Sequence, residues 1–375
     1  MIALWVTAAS FGALVAVWFG YPAVLWCVSL IAGRPLRAER SAASLRTVSV
    51  ILATRDRADI IRARVQNLLE TAHPAERMEI VIALDAQGGE ASVDELSDPD
   101  PRVRVLVGDQ PGGKAAALNA GVRAATAEIV VLADAQQRFD RQTIPELVAA
   151  LEDERFGAVS GALQLPDGGP GTWPIRIYWR LEKWLRHREA IVHSSIGVTG
   201  AVYAIRRRHW PPIPPGVLLD DLFVPLSLIV NGMRVGFCYE AIAIESRVFE
   251  ARQERSRKTR TLTGVLQLPH VIPGLFDVRR NPVLLQLFMH KFARLLTPFL
   301  LAVGLGAGGL ALIFMLAGHG TQIAVVLLLS VTLLVAISPL RRVCVSALRW
   351  MIEMQIATGK ALHNAARNRW DVWSR

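Results

Sequence analysis

The chain has 375 residues, 52% of them hydrophobic, and a formal net charge of +10. That length allows one sizeable α/β domain with segments to spare, and the apolar fraction is high for a soluble protein. Cys27, Cys238 and Cys344 lie far apart and fit neither a metal pattern nor a disulfide framework, which excludes those two ways of holding a small fold.

Met1 to Gly33 contains no charged residue. A membrane span needs about 20 apolar residues in a helix, whereas a cleaved leader has a basic start and an apolar run of roughly 7–15 residues. Residues 1–33 are therefore expected to be a membrane anchor. Thr47 to Thr54 is a β-branched apolar run and reads as a buried strand. Arg55 to Glu70 has apolar residues at Ile60, Ile61, Val65, Leu68 and Leu69, a helical spacing. Met78 to Leu84 is a second strand running into Asp85, and Val103 to Val107 a short third. Lys114 to Thr126 is Ala-rich and helical, and Ile129 to Ala133 is a fourth strand running into Asp134.

Trp173 to Arg188 mixes Trp173, Trp179 and Trp184 with Arg176, Arg180, Arg186 and Arg188. That composition suits a membrane interface or a helix packed on the sheet, which rank ahead of the sharper alternative of a sugar-stacking platform. Leu262 to Phe276 reads as an amphipathic interface segment. A second charge-free stretch lies between Arg294 and Arg341 and is interrupted by Gly318, His319, Gly320 and Thr321. Two spans joined by a tight turn are expected there, roughly 298–317 and 322–340. Arg349 to Arg375 reads as a surface helix. The expected division is an anchor at 1–33, an α/β domain at 45–260, amphipathic interface segments at 261–294, a membrane hairpin at 295–341 and an amphipathic tail at 342–375.

Arg34, Arg37, Arg40 and Arg46 follow the first apolar run, Lys291 and Arg294 precede the second, and Arg341 and Arg342 follow it. Loops rich in Lys and Arg stay in the cytoplasm. With three spans this predicts an integral protein of the inner or plasma membrane, N-terminus outside, with residues 34–294 and the tail inside. Basic surface beside a bilayer attracts anionic lipid, so the charge calls for no nucleic acid.

Alternating strands and helices predict an α/β fold with a mostly parallel sheet, whose ligands bind beyond the carboxyl ends of the strands. Asp85 and Asp134 stand at two such ends. A lone Asp after a strand is commonly a turn or cap, but here Gln110-Pro111-Gly112-Gly113-Lys114 lies between the two. That loop feeds a helix, where backbone N–H groups and the Lys114 charge suit phosphate oxygens.

Several segments resemble the membrane-bound members of glycosyltransferase family 2, which carry a GT-A nucleotide-binding domain. Gly113-Lys114-Ala115-Ala116-Ala117-Leu118-Asn119 is similar to the family's GKxxALN segment, and the strand from Ala127 to Gln136 to its DxD-type segment. Thr199 to Arg207 resembles the sugar and acceptor segment, which includes Gly200. Leu219-Asp220-Asp221-Leu222 resembles the ED motif, and Arg257-Lys258-Thr259-Arg260-Thr261 the (Q/R)xxRW motif. His290 to Arg294 resembles the lead into the C-terminal spans, and the looser likeness runs on to Trp373.

The resemblance implies inverting transfer of a hexosyl group from a UDP-sugar to a membrane-associated polysaccharide or lipid, with a partner protein or an oligomer serving any export. Asp221 would be the catalytic base, with Asp220 beside it. Asp85 would meet the nucleobase, and Asp134 the ribose and a divalent cation, Mg2+ or Mn2+. Ala53, Thr54, Lys114 and Asn119 would line the donor site, and Arg257 and Arg260 would hold the diphosphate. Three departures stand out. Gln136 replaces the closing Asp of the metal motif, so that position is a weaker ligand for a hard cation. Arg55-Asp56 stands where Asn-Glu is common, and Thr261 replaces the Trp that stacks on a growing polymer. Three readings of single segments remain open beside these: Asp220-Asp221 as a helix N-cap pair, the Arg252–Arg260 cluster as a lipid-facing patch, and a nucleotidyltransferase or non-catalytic scaffold on the same fold.

Overall fold

The computed structural model describes the chain except residues 41–45, 97–99, 167–172, 247–250, 337 and 371–375. In the helices it also leaves aside the side chains of 173–175, 251–255, 316–324 and most of 326–350. The expectations on Trp173, Arg252, Arg342, Cys344 and Trp373 therefore lie outside the described groups.

Among the described residues eight strands form one mixed sheet in the order β3-β2-β1-β4-β7-β6-β8-β5. They are β1 (Val48–Thr54), β2 (Met78–Leu84), β3 (Val103–Val107), β4 (Ile129–Ala133), β5 (Gln137–Phe139), β6 (Phe156–Gln164), β7 (Val202–Arg206) and β8 (Arg234–Glu245). The half from β3 to β4 is parallel, as the alternating strands and helices predict. Beyond β4 the sheet turns mixed: β7 runs antiparallel to both β4 and β6, while β6 and β8 are parallel.

All seven residues of β1 are buried because helices cover both faces, the arrangement that writes a strand as an unbroken apolar run. One face packs Ile51, Val81 and Leu132 against α3 (Lys114–Ala124) and α6 (Asp220–Val230). The other packs Val50, Leu52 and Ile82 against α2 (Ala58–Leu69) and α4 (Thr143–Leu151).

Among the described residues two helices are long and apolar enough to cross a membrane, α1 (Ile2–Ile31) and the stretch Thr297–Met315. The latter belongs to α8 (Thr297–Ala336), one continuous helix of 40 residues, where two spans with a turn at Gly318–Thr321 are expected from the sequence. The tetrapeptide has no proline, and a helix glycine costs only about 1 kcal/mol, too little to break a helix with long apolar runs on either side. The next helix, α9 (Ser338–Ala366), packs on α7 (Ala251–Val271). Arg341 and Arg342 thus begin the returning helix, and the three-span charge argument no longer sets an orientation.

α1 packs along α8, where Gly304 admits Ser10 and Phe11, and Trp18 Nε1 donates to Thr297 Oγ1 at 3.1 Å. A buried polar knot ties α1 to α5 (Trp173–Val192). Glu189 accepts from Tyr21 and faces His290 Nδ1, each at 2.7 Å. Glu182 faces His290 Nε2 at 3.0 Å and also meets Lys291 and Arg294. Burial works to push Glu182 up, but Lys291, His290 and Arg294 outweigh it and hold the carboxyl well below its usual range. Such charges are stable inside a fold only when paired in this way.

Candidate active site

Sheet register builds the site. Leu52 pairs with Ala133 and Thr54 with Leu84, so Ala53, Thr54, Asp85 and Asp134 stand together at the carboxyl edge. They line one cavity with Arg55, Asp56, Lys114, Ala117, Gln136 and Arg260. Its volume of 310 Å³ is near the lower end of the roughly 300–1,000 Å³ typical of ligand pockets.

Asp85 clamps the glycine loop. Its Oδ1 accepts from the backbone of Gln87 at 2.9 Å and of Gly113 at 2.7 Å, and its Oδ2 from Arg55 Nε at 2.6 Å. Burial acts to raise the Asp85 carboxyl, yet these N–H groups and the Arg55 guanidinium outweigh it and set it below the ordinary carboxylate value. Gly112 has φ +88, and a Cβ there would fall 2.7 Å from Gln87 N and 2.8 Å from Asp85 Oδ1. Only glycine suits both the backbone conformation and the space.

The loop delivers Lys114 to the first turn of α3, a helix end that favours anions. Lys114 Nζ lies 3.3 Å from Asp134 Oδ1 and 3.3 Å from Asp220 Oδ2. Burial opposes its charge, but Asp134, Asp220 and Asp221 together raise its affinity for the proton above that of an ordinary lysine. Asp220 and Asp221 open α6 behind an N-cap at Leu219, and no side chain caps the helix. The cap-pair reading therefore fails at this helix, and the acids instead face Lys114. Burial and the neighbouring Asp220 charge push the Asp221 carboxyl up, with Arg186, Lys114 and Arg260 opposing. A carboxylate drawn toward neutrality is a better proton acceptor at physiological pH. Gly200 lies against this pair: a Cβ there would sit 3.5 Å from Asp221 Cβ and 3.9 Å from Lys114 Nζ.

Two of the expected donor residues sit elsewhere. Asn119 spends its amide on the loop before α6, donating to Ile213 O at 2.8 Å and accepting from Trp210 Nε1 at 3.1 Å and Ile213 N at 3.0 Å. It lies more than one turn along α3 from Lys114, so it holds a loop and does not join the cavity lining. Arg257 is exposed one turn before Arg260 and is likewise outside the lining. Arg260 reaches the cavity and donates to Leu218 O at 3.1 Å.

The metal position is lean. Gln136 Nε2 donates to Asp56 Oδ1, and Thr54 Oγ1 donates to Asp56 Oδ2 at 2.9 Å. Among the described residues no three His, Cys, Asp or Glu side chains group so as to hold a metal. Asp134 and the amide oxygen of Gln136 fit a divalent ion only as companions to a bound diphosphate, which supplies the missing oxygens.

Arg64, on the buried face of α2 and 2% exposed, donates to Asp134 O at 3.1 Å and stacks 4.1 Å over the Phe139 ring. Burial pushes it down to about 9, with Asp134 pulling the other way. It braces the turn that carries Asp134, and the sole sequence signal is a charge on the apolar stripe between Ile61 and Leu68.

Comparison with known proteins agrees with this geometry. Residues 49–210 match the family description "Glycosyl transferase family 2". The "Probable glycosyltransferase YdaM" of Bacillus subtilis (strain 168) is 25% identical over 264 residues, which cover 66% of this chain and 62% of that protein. Glycosyltransferase AglD of Haloferax volcanii is 29% identical over 142 residues, 36% of this chain and 23% of that protein. The chain thus spans less than two thirds of the length of either relative. Mannosyltransferase PcManGT from Pyrobaculum calidifontis, solved in complex with GDP-Man and Mn2+, superposes with a TM-score of 0.72 at 22% identity, covering 98% of this chain and 99% of that one. At that identity the likeness shows the fold. Residues 49–210 thus match the glycosyltransferase family 2 description, within a chain that shares a GT-A-like fold with that mannosyltransferase over nearly its whole length.

Proposed function

We propose that the chain is an inverting glycosyltransferase that moves a sugar from a nucleoside-diphosphate donor to a membrane-associated polysaccharide or lipid acceptor. One observation carries the reading: Lys114, 3.3 Å from both Asp134 and Asp220, joins the donor edge of the sheet to the acidic start of α6. In this reading the Asp221 carboxylate takes the proton of an acceptor hydroxyl. The oxygen attacks the anomeric carbon, and the bond to the diphosphate breaks with its electron pair on the leaving group. Lys114 and Arg260, both on the cavity wall, draw that developing charge, the kind of electrostatic help that contributes most in acyl and phosphoryl chemistry. A divalent ion on Asp134 and Gln136 would neutralise the same diphosphate when bound. A nucleotidyltransferase reading leaves the Asp220-Asp221 pair without a task.

The expectation of a uracil nucleotide has no support among the relatives, and the structural neighbour was solved with GDP-Man; GDP-mannose is therefore the first donor to assay, beside UDP-sugars. In this reading α1 and the first part of α8 anchor the protein in the membrane that holds the acceptor. The test is Asp221→Asn in full-length protein in membranes, using radiolabelled donors and partition of product between solvent and water. Transfer should collapse while nucleotide binding persists; undiminished transfer in that variant would sink the assignment.

A further inference from the structure

The donor cavity gives Arg186 no task. This half-buried residue stands on α5 between Glu182 and Glu189, the two carboxylates through which that helix is tied to the anchor. Its Nη1 donates to Thr199 Oγ1 at 3.3 Å. Thr199 is itself held firmly, its N–H donating to Ser160 Oγ at 2.8 Å and its hydroxyl to Gly161 O at 3.1 Å. The residues on either side of Thr199 touch Asp221: Val198 N donates to Asp221 O at 2.9 Å, and Gly200 lies against the Asp221 and Lys114 side chains.

Four described charged groups face Asp221. Asp220 repels it from the same helix, while Lys114 of α3, Arg260 of α7 and Arg186 of α5 attract it; the buried phenol of Tyr203 on β7 lies near as well. Lys114 is already shared with Asp134 and Asp220, and both Lys114 and Arg260 line the donor cavity. A bound diphosphate draws on those two cations. Arg186 is not part of the lining, so its charge stays with Asp221 when the donor arrives.

We propose that Arg186 is a positioning residue for the reaction, holding the Asp221 carboxylate ionised and aligned from outside the donor-cavity lining. The proposal rests on the reading of Asp221 as the base. It gives α5 a second role: the helix that is bonded to the membrane anchor also sets the protonation of the reacting carboxylate.

Infrared difference titration of the full-length protein, from acid to mildly alkaline pH, tests this without knowledge of the acceptor. The protonated-carboxyl band that disappears in Asp221→Asn belongs to Asp221. In Arg186→Gln that band should persist to a pH about one unit higher, the effect of losing a nearby opposite charge, and Arg186→Lys should bring it most of the way back. Affinity for GDP or UDP should stay within about twofold of the unsubstituted protein in both. Thr199→Val, which frees the guanidinium from its anchor, gives the same upward displacement and serves if Arg186→Gln folds poorly. An Asp221 band that titrates unchanged in these variants overturns the proposal. If Asp221→Asn keeps full transfer activity, the base assignment itself falls; if that variant is inactive and Arg186→Gln titrates like the parent, only the role of Arg186 falls.

Discussion

Removing the Lys114 ammonium is the most incisive perturbation of the donor site. In the free protein Nζ lies 3.3 Å from one carboxylate on each side, with the side chain 26% exposed. Lys114→Ala therefore acts twice. It withdraws a charge-assisted contact from an incoming diphosphate, worth about 1.5–3 kcal/mol, which is roughly 10- to 150-fold in Kd. It also leaves Asp134, Asp220 and Asp221 close together without their shared cation, so Asp221, already pushed up by burial and by Asp220, rises further. Activity that needs ionised Asp221 should then fall most steeply on the acid side and recover partly as pH is raised. Calorimetry with GDP and with UDP reads the first effect, and a pH series of donor turnover the second. Lys114→Met, which keeps the aliphatic stem, separates loss of charge from loss of packing. Unchanged nucleotide affinity in both variants would refute the phosphate role, because no other described group takes a comparable place between the two acidic clusters.

Other outcomes follow from the same geometry. Gly112→Ala must adopt φ +88 and push its Cβ into Gln87 and Asp85, at a cost of about 1–3 kcal/mol for the backbone alone; thermal unfolding should occur earlier and nucleotide affinity should drop. Asp85 has a folded-state carboxyl set below its ordinary value, so its stabilising contribution is complete above that ordinary value and is lost as pH falls through the depressed one. Proteolysis of the glycine loop should rise in acid for the parent chain, with Asp85→Asn susceptible at every pH. Gln136→Asp supplies a second carboxylate beside Asp134, and Mn2+ or Mg2+ affinity in the presence of GDP should rise by about tenfold, since hard cations favour charged oxygen ligands; titration calorimetry checks it.

The first half of the sheet and its acids were open to reading from the sequence for a local reason. Strands covered on both faces are written as continuous apolar runs, and β1, β2 and β4 each end where a polar residue interrupts the run, at Arg55, Asp85 and Asp134. The Gly-Gly-Lys loop and the Asp220-Asp221 pair carry signals of equal locality, in backbone conformation and in charge. The mixed half of the sheet had no such signal. β7 inserts between β4 and β6, and β8 between β6 and β5, pairings between segments far apart in the chain whose order depends on how the connections cross. The continuity of α8 through Gly318–Thr321 escaped in a similar way, because a weak local break yields to the apolar helix on either side.

Which residues act together is a different kind of fact. Asn119 and Lys114 belong to one sequence segment, yet helical rotation sends the first to the Ile213 loop and the second into the cavity. Arg64 and Arg186 look like ordinary helix charges in the sequence, and only the packing of α2 and α5 sets one against the Asp134 turn and the other on Thr199, whose two chain neighbours touch Asp221. Sequence alone determined the elements of the parallel half of the sheet, the strand-end acids and the family likeness, because each is carried by neighbours along the chain. Tertiary structure decided the cavity lining, the absence of Asn119 and Arg257 from it and the bond of Arg186 to Thr199 outside it, because electrostatic work depends on distance in space, and a charge several ångströms away through a folded interior acts regardless of how far off it lies along the chain.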